Sequence, residues 1–244
     1  MKLSEKNIVI TGATSGIGRS LVELLQENNR IIAVGRDPIK LKELQGEFPA
    51  ILIVQADLGK IPEVEKAANI ILEKGILIDL LINNAAIQNT PAFIDKDFRH
   101  ATIAEEITTN FTASSLFISR LLPAMLKAEK RAIILNVNTG LALAPKASSA
   151  IYCATKAALR SLSLSLHYQL ENTNVKVLEA YLPLVETGMT AGRGSGKISK
   201  EKAAQLILSG IENEIRENYI GKVKLLYLIN RIAPGLARKI MKKY

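Results

Sequence analysis

Two groups of residues could carry chemistry. Tyr152 and Lys156 stand four apart in Ser149-Ala-Ile-Tyr-Cys-Ala-Thr-Lys-Ala, and on a helix that spacing puts both on one face. A free phenol, with a pKa near ~10, holds its proton too tightly for efficient transfer at neutral pH. A neighbouring ammonium favours the phenolate. The pair therefore predicts a Tyr152 of lowered pKa, a general acid in reduction and a base in the reverse direction. Taken alone, Tyr-x-x-x-Lys is equally the pattern of a solvated helix face. The second group is Thr11-Gly12-Ala13-Thr14-Ser15-Gly16-Ile17-Gly18. Glycine at 12, 16 and 18 lets the chain turn tightly and approach a ligand. A helix starting there offers free N–H groups and partial positive charge to a diphosphate, and Thr14 and Ser15 add hydroxyl donors. The plainer alternative is a tight strand-to-helix connection.

The elements that position these groups alternate in type. Short apolar runs predict strands over Ile8–Thr11, Ile31–Val34, Ile51–Val54, Leu80–Ile82, Ala132–Val137 and Val175–Tyr181. Amphipathic stretches predict helices over Gly18–Gln26, Pro38–Gly46, Ile61–Lys74, Phe98–Leu126 and Ser149–Leu170. Near-continuous Val/Ile/Leu strands imply burial on both faces. Their alternation with helices implies an α/β fold, a doubly wound Rossmann-type parallel sheet with right-handed crossovers. The glycine turn then sits where a dinucleotide site requires it, after the first strand and before the first helix. The second strand ends Val34-Gly35-Arg36-Asp37-Pro38. The position where an acid would accept from a ribose 2′-hydroxyl is neutral, and Arg36 just beyond it could pair with a 2′-phosphate. Asp37 reads as a helix N-cap with Pro38 at the first helical position. The expected coenzyme is NADP(H), with NAD(H) as the alternative.

Composition bounds the rest. The 244 residues suit one large domain, and 48% hydrophobic with 23% charged residues argue against disorder. A single Cys153 excludes a disulfide framework and a cysteine zinc site, and two histidines make a histidine metal centre unexpected. His100 and His167 lack an orienting partner and read as ordinary helix residues. The N-terminus runs straight into the first strand and no apolar run is long enough for a membrane span, so a cytoplasmic protein is expected. The net charge of +9 is uneven: residues 222–244 hold seven Lys or Arg and no Asp or Glu. Such a tail suits an anionic surface better than a nucleic-acid-binding body.

The residues so far, taken with Asp57-Leu58 after the third strand, Asn83-Asn84-Ala85 after the fourth, and Asn110, resemble the short-chain dehydrogenase/reductase family over residues 5–190. The stretches Leu135–Ala142 and Leu182–Thr187 look most like its DltE-like oxidoreductase branch. The resemblance implies roles. Asp57, with Leu58 beside it, would meet the adenine edge, and Asn83, Asn84 and Ala85 would line the adenosine ribose. Lys156 would also hold the nicotinamide ribose, and Asn110 would anchor a water relaying protons to Lys156. Val185 and Thr187 would bind the nicotinamide carboxamide. The family's substrate-positioning serine falls at Thr139. A small-molecule carbonyl or alcohol substrate, and a homodimer or homotetramer on the two long helices, are implied as well.

Three departures stand out. Thr139 keeps the hydroxyl but adds a stiffening methyl. Ala86 replaces the family's glycine after Ala85, and Leu182-Pro183 replaces its Pro-Gly. Thr139 and the Leu182-Pro183 change keep open a second reading, a dinucleotide-binding regulatory or scaffold protein with little turnover, against which the Asn110, Tyr152 and Lys156 set argues. The Gly-rich stretch 187–200 reads as a mobile substrate loop within one domain. In the extension 222–244, apolar Leu225, Ile229, Ile232, Leu236 and Ile240 recur at helical spacing, with Pro234-Gly235 as a break. Packing over the cleft or on another subunit is the favoured role, and peripheral contact with an anionic membrane is the alternative.

Overall fold

A computed structural model describes residues 1–128 and 130–243. Seven strands form one parallel sheet: β1 (Asn7–Thr11), β2 (Arg30–Gly35), β3 (Leu52–Gln55), β4 (Leu80–Asn83), β5 (Ala132–Thr139), β6 (Val175–Leu182) and β7 (Glu217–Tyr219). Their order across the sheet is β3-β2-β1-β4-β5-β6-β7, and every pairing is parallel. The direction of winding reverses between β1 and β4, the place where open α/β sheets bind ligands.

Period-2 alternation divides the core. Ile8 and Ile10 of β1 face α1 (Gly16–Leu25) and α7 (Lys200–Glu212), against Leu21, Val22, Ala203 and Ile207. Val9 faces the other way, toward α3 (Ile61–Glu73) and α5 (Ala113–Lys127), against Val64, Ile71, Phe117 and Leu121. All three β1 side chains are fully buried, as the near-continuous apolar strands require.

Local chemistry sets the helix ends. The Asp37 side chain accepts from the amides of Ile39 and Lys40 at the start of α2 (Pro38–Glu47), so the capping role expected of it is observed. Ser199 accepts from the Lys202 amide at the start of α7. The stretch expected as one helix over Phe98–Leu126 is divided. It begins at α4 (Ala101–Ile107), passes through a π-helical segment (Thr108–Thr112) and continues as α5. The second long helix, α6 (Ala150–Gln169), matches its expectation. Neither α7 nor β7 was expected. β7 is three residues, Glu-Asn-Tyr, with no apolar run to mark it.

The C-terminal segment breaks where Pro234 stands, into α8 (Lys222–Ile232) and α9 (Pro234–Met241). Its inner face packs on the end of the sheet. Val223 meets Ala142 and Tyr181, and Ala237 and Met241 meet Ala144. Leu225, Leu228, Ile232 and Leu236 remain at least half exposed on the outer face. Tyr244 lies outside the described residues. Among those residues, no helix is long and apolar enough to cross a membrane.

A buried polar ladder crosses the middle of the sheet. The Asn83 amide donates to Asn136 Oδ1 at 2.9 Å, and Asn136 Nδ2 donates to Ser163 Oγ at 2.8 Å. Beside it, Asn138 Nδ2 donates to the Lys156 carbonyl and to Glu179 Oε1, and the Tyr181 hydroxyl donates to Glu179 Oε2. Glu179 is 5% exposed. Burial pushes its carboxyl up to about 7, while the hydrogen bonds from Asn138 and Tyr181 oppose the rise.

Two outcomes follow. Asn136→Ala strands the buried Asn83 amide and is expected to cost about 1–3 kcal/mol in urea unfolding; a loss under about 0.5 kcal/mol contradicts the ladder. A carboxyl raised by folding contributes stability that is complete below its unfolded pKa and lost as pH rises through about 7. Wild type should therefore lose more stability than Glu179→Gln between pH 5 and pH 8.5. Equal losses in the two proteins would show that Glu179 is ionised without penalty.

Candidate functional site

A cleft of about 1660 Å³ opens along the carboxyl ends of the strands. Gly12, Thr14, Ser15, Gly16 and Ile17 form one wall. Gly12 and Gly16 adopt φ of +67° and +52°, a region that side chains rarely tolerate. At Gly18 a Cβ would stand 2.1 Å from the Gly12 carbonyl oxygen, so this glycine permits the turn to close on itself. The N-cap residue of α1 is Ser15, whose side chain makes no capping hydrogen bond, and the first turn carries no acid. The amides at this helix end thus face the cleft without a protein acceptor, in contrast to the capped start of α2. That is the donor set and the positive dipole end a diphosphate needs.

The turn is latched to β4. The amides of Asn84 and Ala85 donate to Thr11 Oγ1 at 3.0 and 3.1 Å. Asn84 Nδ2 donates back to the Thr11 carbonyl at 2.9 Å. Asn84 and Ala85 line the cleft. Ala86 takes no positive φ, so the segment tolerates alanine where the family has glycine.

At the far end of this wall, Arg36, Asp57 and Leu58 line the cleft together with Lys40 and Lys60. Arg36 is exposed at the end of β2. Asp37 is committed to its cap, and Asp57 Oδ1 accepts from the Gly59 amide at 3.0 Å. The residue that ends β2 is the neutral Gly35, and Arg36, Lys40 and Lys60 bring positive charge to this end of the cleft.

Thr139, Tyr152 and Lys156 line the opposite wall. Thr139 ends β5, and its hydroxyl accepts weakly from the Leu141 amide at 3.4 Å. Tyr152 and Lys156 lie one turn apart on α6, 9% and 3% exposed. Lys156 Nζ donates to the Val137 carbonyl at 2.9 Å and lies 5.9 Å from the centre of the Tyr152 ring. Burial draws the amine down to about 8, and the charge of Glu179 opposes the fall. The expectation for Tyr152 is corrected here: its phenol is raised, not lowered. Burial of the phenolate is the main cause, and the Lys156 ammonium is directed at a strand carbonyl.

Val185 and Thr187 also line the cleft. The stretch after them is tied at its base, where Val185 bridges to Ile198 and the Glu186 amide donates to the Ile198 carbonyl at 2.8 Å.

Three expected site residues do not line the cleft: Gly18, Asn83 and Asn110. Asn83 belongs to the buried ladder. Asn110, fully buried in the π segment, accepts from the Ile87 amide at 2.8 Å and donates to the Ile87 carbonyl and to Thr155 Oγ1. Its side chain thus fastens the loop after β4 to α6. Sequence reasoning passed over Thr11 and Glu179, which support the site from behind, and Asn138, Lys146 and Arg193, which line it. Thr11 alone carried a signal, as the residue that opens the glycine motif.

Comparison with known proteins agrees with this geometry. Residues 6–197 match the short chain dehydrogenase family. The chain is 34% identical over 229 residues to the oxidoreductase DltE of Bacillus subtilis, covering 89% of this chain and 88% of that one. In fold it is similar to a short chain dehydrogenase of Burkholderia cenocepacia in complex with NADP, with a TM-score of 0.88 at 23% identity over 99% of both chains. It is also similar to a short chain dehydrogenase/reductase of Burkholderia phymatum in complex with NAD, with a TM-score of 0.83 at 21% identity over 95% and 96% of the chains. A glycine turn at an uncapped helix, a Tyr–Lys pair on the facing wall and the family match together place this chain in the short-chain dehydrogenase/reductase family of NAD(P)-binding Rossmann-fold oxidoreductases.

Proposed function

We propose that the protein is an NADP(H)-linked oxidoreductase that interconverts a carbonyl and an alcohol. One observation carries the reading: a buried Tyr152–Lys156 pair shares a single cleft with the uncapped N-terminus of α1. The α1 amides, Thr14 and Ser15 would hold the diphosphate. Arg36 would meet a 2′-phosphate, and Asp57 and Leu58 the adenine. Asn84 and Ala85 would line one ribose and Lys156 the other, with Val185 and Thr187 against the carboxamide. When bound there, a reduced pyridine nucleotide supplies the hydride.

The chain's own residues handle the carbonyl oxygen and its proton. Thr139 and Tyr152 hydrogen-bond that oxygen, as donors placed where negative charge develops. A phenol raised by burial stays protonated at neutral pH, so the proton that reduction consumes is in place, and its release depends on stabilising the phenolate as charge develops on the carbonyl oxygen. Lys156, still largely charged at pH 7 with a pKa drawn to about 8, stabilises the phenolate left behind. Asn110 holds the loop and helix in register. Residues 187–200 and α8–α9 form the movable walls. The protein would act in the cytoplasm. The faces of α5 and α6 are the proposed homo-oligomer contact, and the basic outer face of α8–α9 is a proposed contact with anionic lipid.

An NADPH-oxidation screen across aldehydes, ketones, quinones and enoyl compounds tests this. Activity on one class should fall roughly 10²–10⁴-fold in Tyr152→Phe, with NADPH affinity kept. Near-full activity in that variant refutes the acid, and no turnover with any class favours the scaffold reading. NADPH should bind more tightly than NADH, and Arg36→Ala should remove most of the difference, about tenfold for one charge-assisted contact; an equal or lower Kd for NADH refutes the Arg36 role. The kcat/KM for reduction should be level below pH 7 and fall above about 8 as Lys156 loses its proton. A profile level to pH 10 contradicts this.

A further inference from the structure

The end of the cleft beyond Tyr152 has a composition that nucleotide binding does not explain. Its walls are aliphatic: Leu184 and Met189 follow β6, Leu226 and Ile229 come from α8, and Ile240 and Met241 from α9. Two cations stand among them. Lys146 lies in the loop before α6, and Arg193 in the Gly-rich segment above it. Both are partly buried. Among the described residues neither has a carboxylate within 4.0 Å, although twelve ion pairs form elsewhere.

The two charges feel each other. The Lys146 amine is pushed below its ordinary range, first by burial and then by the Arg193 guanidinium. The same guanidinium is near enough to Tyr152 to oppose the rise of its phenol. A third cation, Lys222 at the start of α8, reaches over the loop, with its Nζ 2.9 Å from where a Cβ on Gly196 would stand. The acids that line the cleft are Asp37, Asp57 and Glu105. They come from the start of α2, the turn after β3, and α4, and none comes from the segments bearing Lys146, Arg193 or Lys222. Like charges held together in a half-dry cleft repel, and an anion between them relieves the repulsion while gaining charge-assisted hydrogen bonds. Lys197, by contrast, is engaged, donating to the Thr190 carbonyl at 2.6 Å.

We infer that this end of the cleft binds an amphiphilic carbonyl compound, its carboxylate or phosphate held between Lys146 and Arg193 and its aliphatic body against α8 and α9. The inference rests on the oxidoreductase reading for the carbonyl, but the anion site itself can be tested without coenzyme or turnover. Calorimetric titration of the full chain with decanoate, decyl phosphate and decanol separates the terms. One or both anions should bind at least tenfold more tightly than decanol, and the anion that does so identifies the headgroup. In Lys146→Gln/Arg193→Gln that preference should drop below threefold, whereas Lys42→Gln, on the exposed side of α2, should keep it. Arg193→Gln alone, in an exposed loop, should halve the preference or more, should the double variant fail to fold. Decanol binding as tightly as both anions, or a preference untouched by the substitutions, overturns the inference. A chain that shows the preference yet never oxidises NADPH loses only the oxidoreductase reading. A chain that reduces neutral carbonyls without the preference loses only the anion site.

Discussion

The structure turns on an ammonium held out of water. Lys156 is 3% exposed, and burying a charge is costly unless a partner replaces the solvent. Here the Val137 carbonyl accepts at 2.9 Å, and Glu179 supplies opposite charge from the next strand. Asn138 joins the two sides, bonding the Lys156 carbonyl and the Glu179 carboxylate at once. These contacts hold α6 to β5 and β6, and that attachment is what aims Tyr152, one turn earlier, into the cleft.

The parallel sheet does the remaining placement. Each strand ends at the same edge, so the loops after β1, β2, β4, β5 and β6 converge although they are far apart in sequence. A division of labour follows. The start of α1 faces the cleft and carries no side-chain cap. Thr11 and Asn84 hold the glycine turn to β4, and Asn110 holds the following loop to α6. Polar residues behind the cleft thus fix those that line it.

Much of this was legible in the residues alone, where the signal was local. The glycine turn, the Asp37-Pro38 cap, the Tyr–Lys spacing and the break at Pro234 each depend on a few neighbouring residues, and the structure shows each as read. What depends on distant pairing was not legible. Glu179 looks like a polar interruption in an apolar strand until Asn138, 41 positions earlier, lies beside it. β7 has no pattern of its own and forms because β6 presents an edge. The π segment at Thr108–Thr112 hides inside an amphipathic stretch that reads as continuous helix. The phenol of Tyr152 was misjudged for the same reason: spacing shows that an ammonium is near, but only the fold shows how completely both groups are buried.

Nuclear magnetic resonance of the side-chain amines, following the Lys156 signal through a pH titration, tests that burial most directly. Assignment by loss of the resonance in Lys156→Arg identifies it. The account predicts one lysine titrating near 8, well separated from the surface lysines. A Lys156 resonance that titrates with the surface amines, near ~10.4, would contradict it.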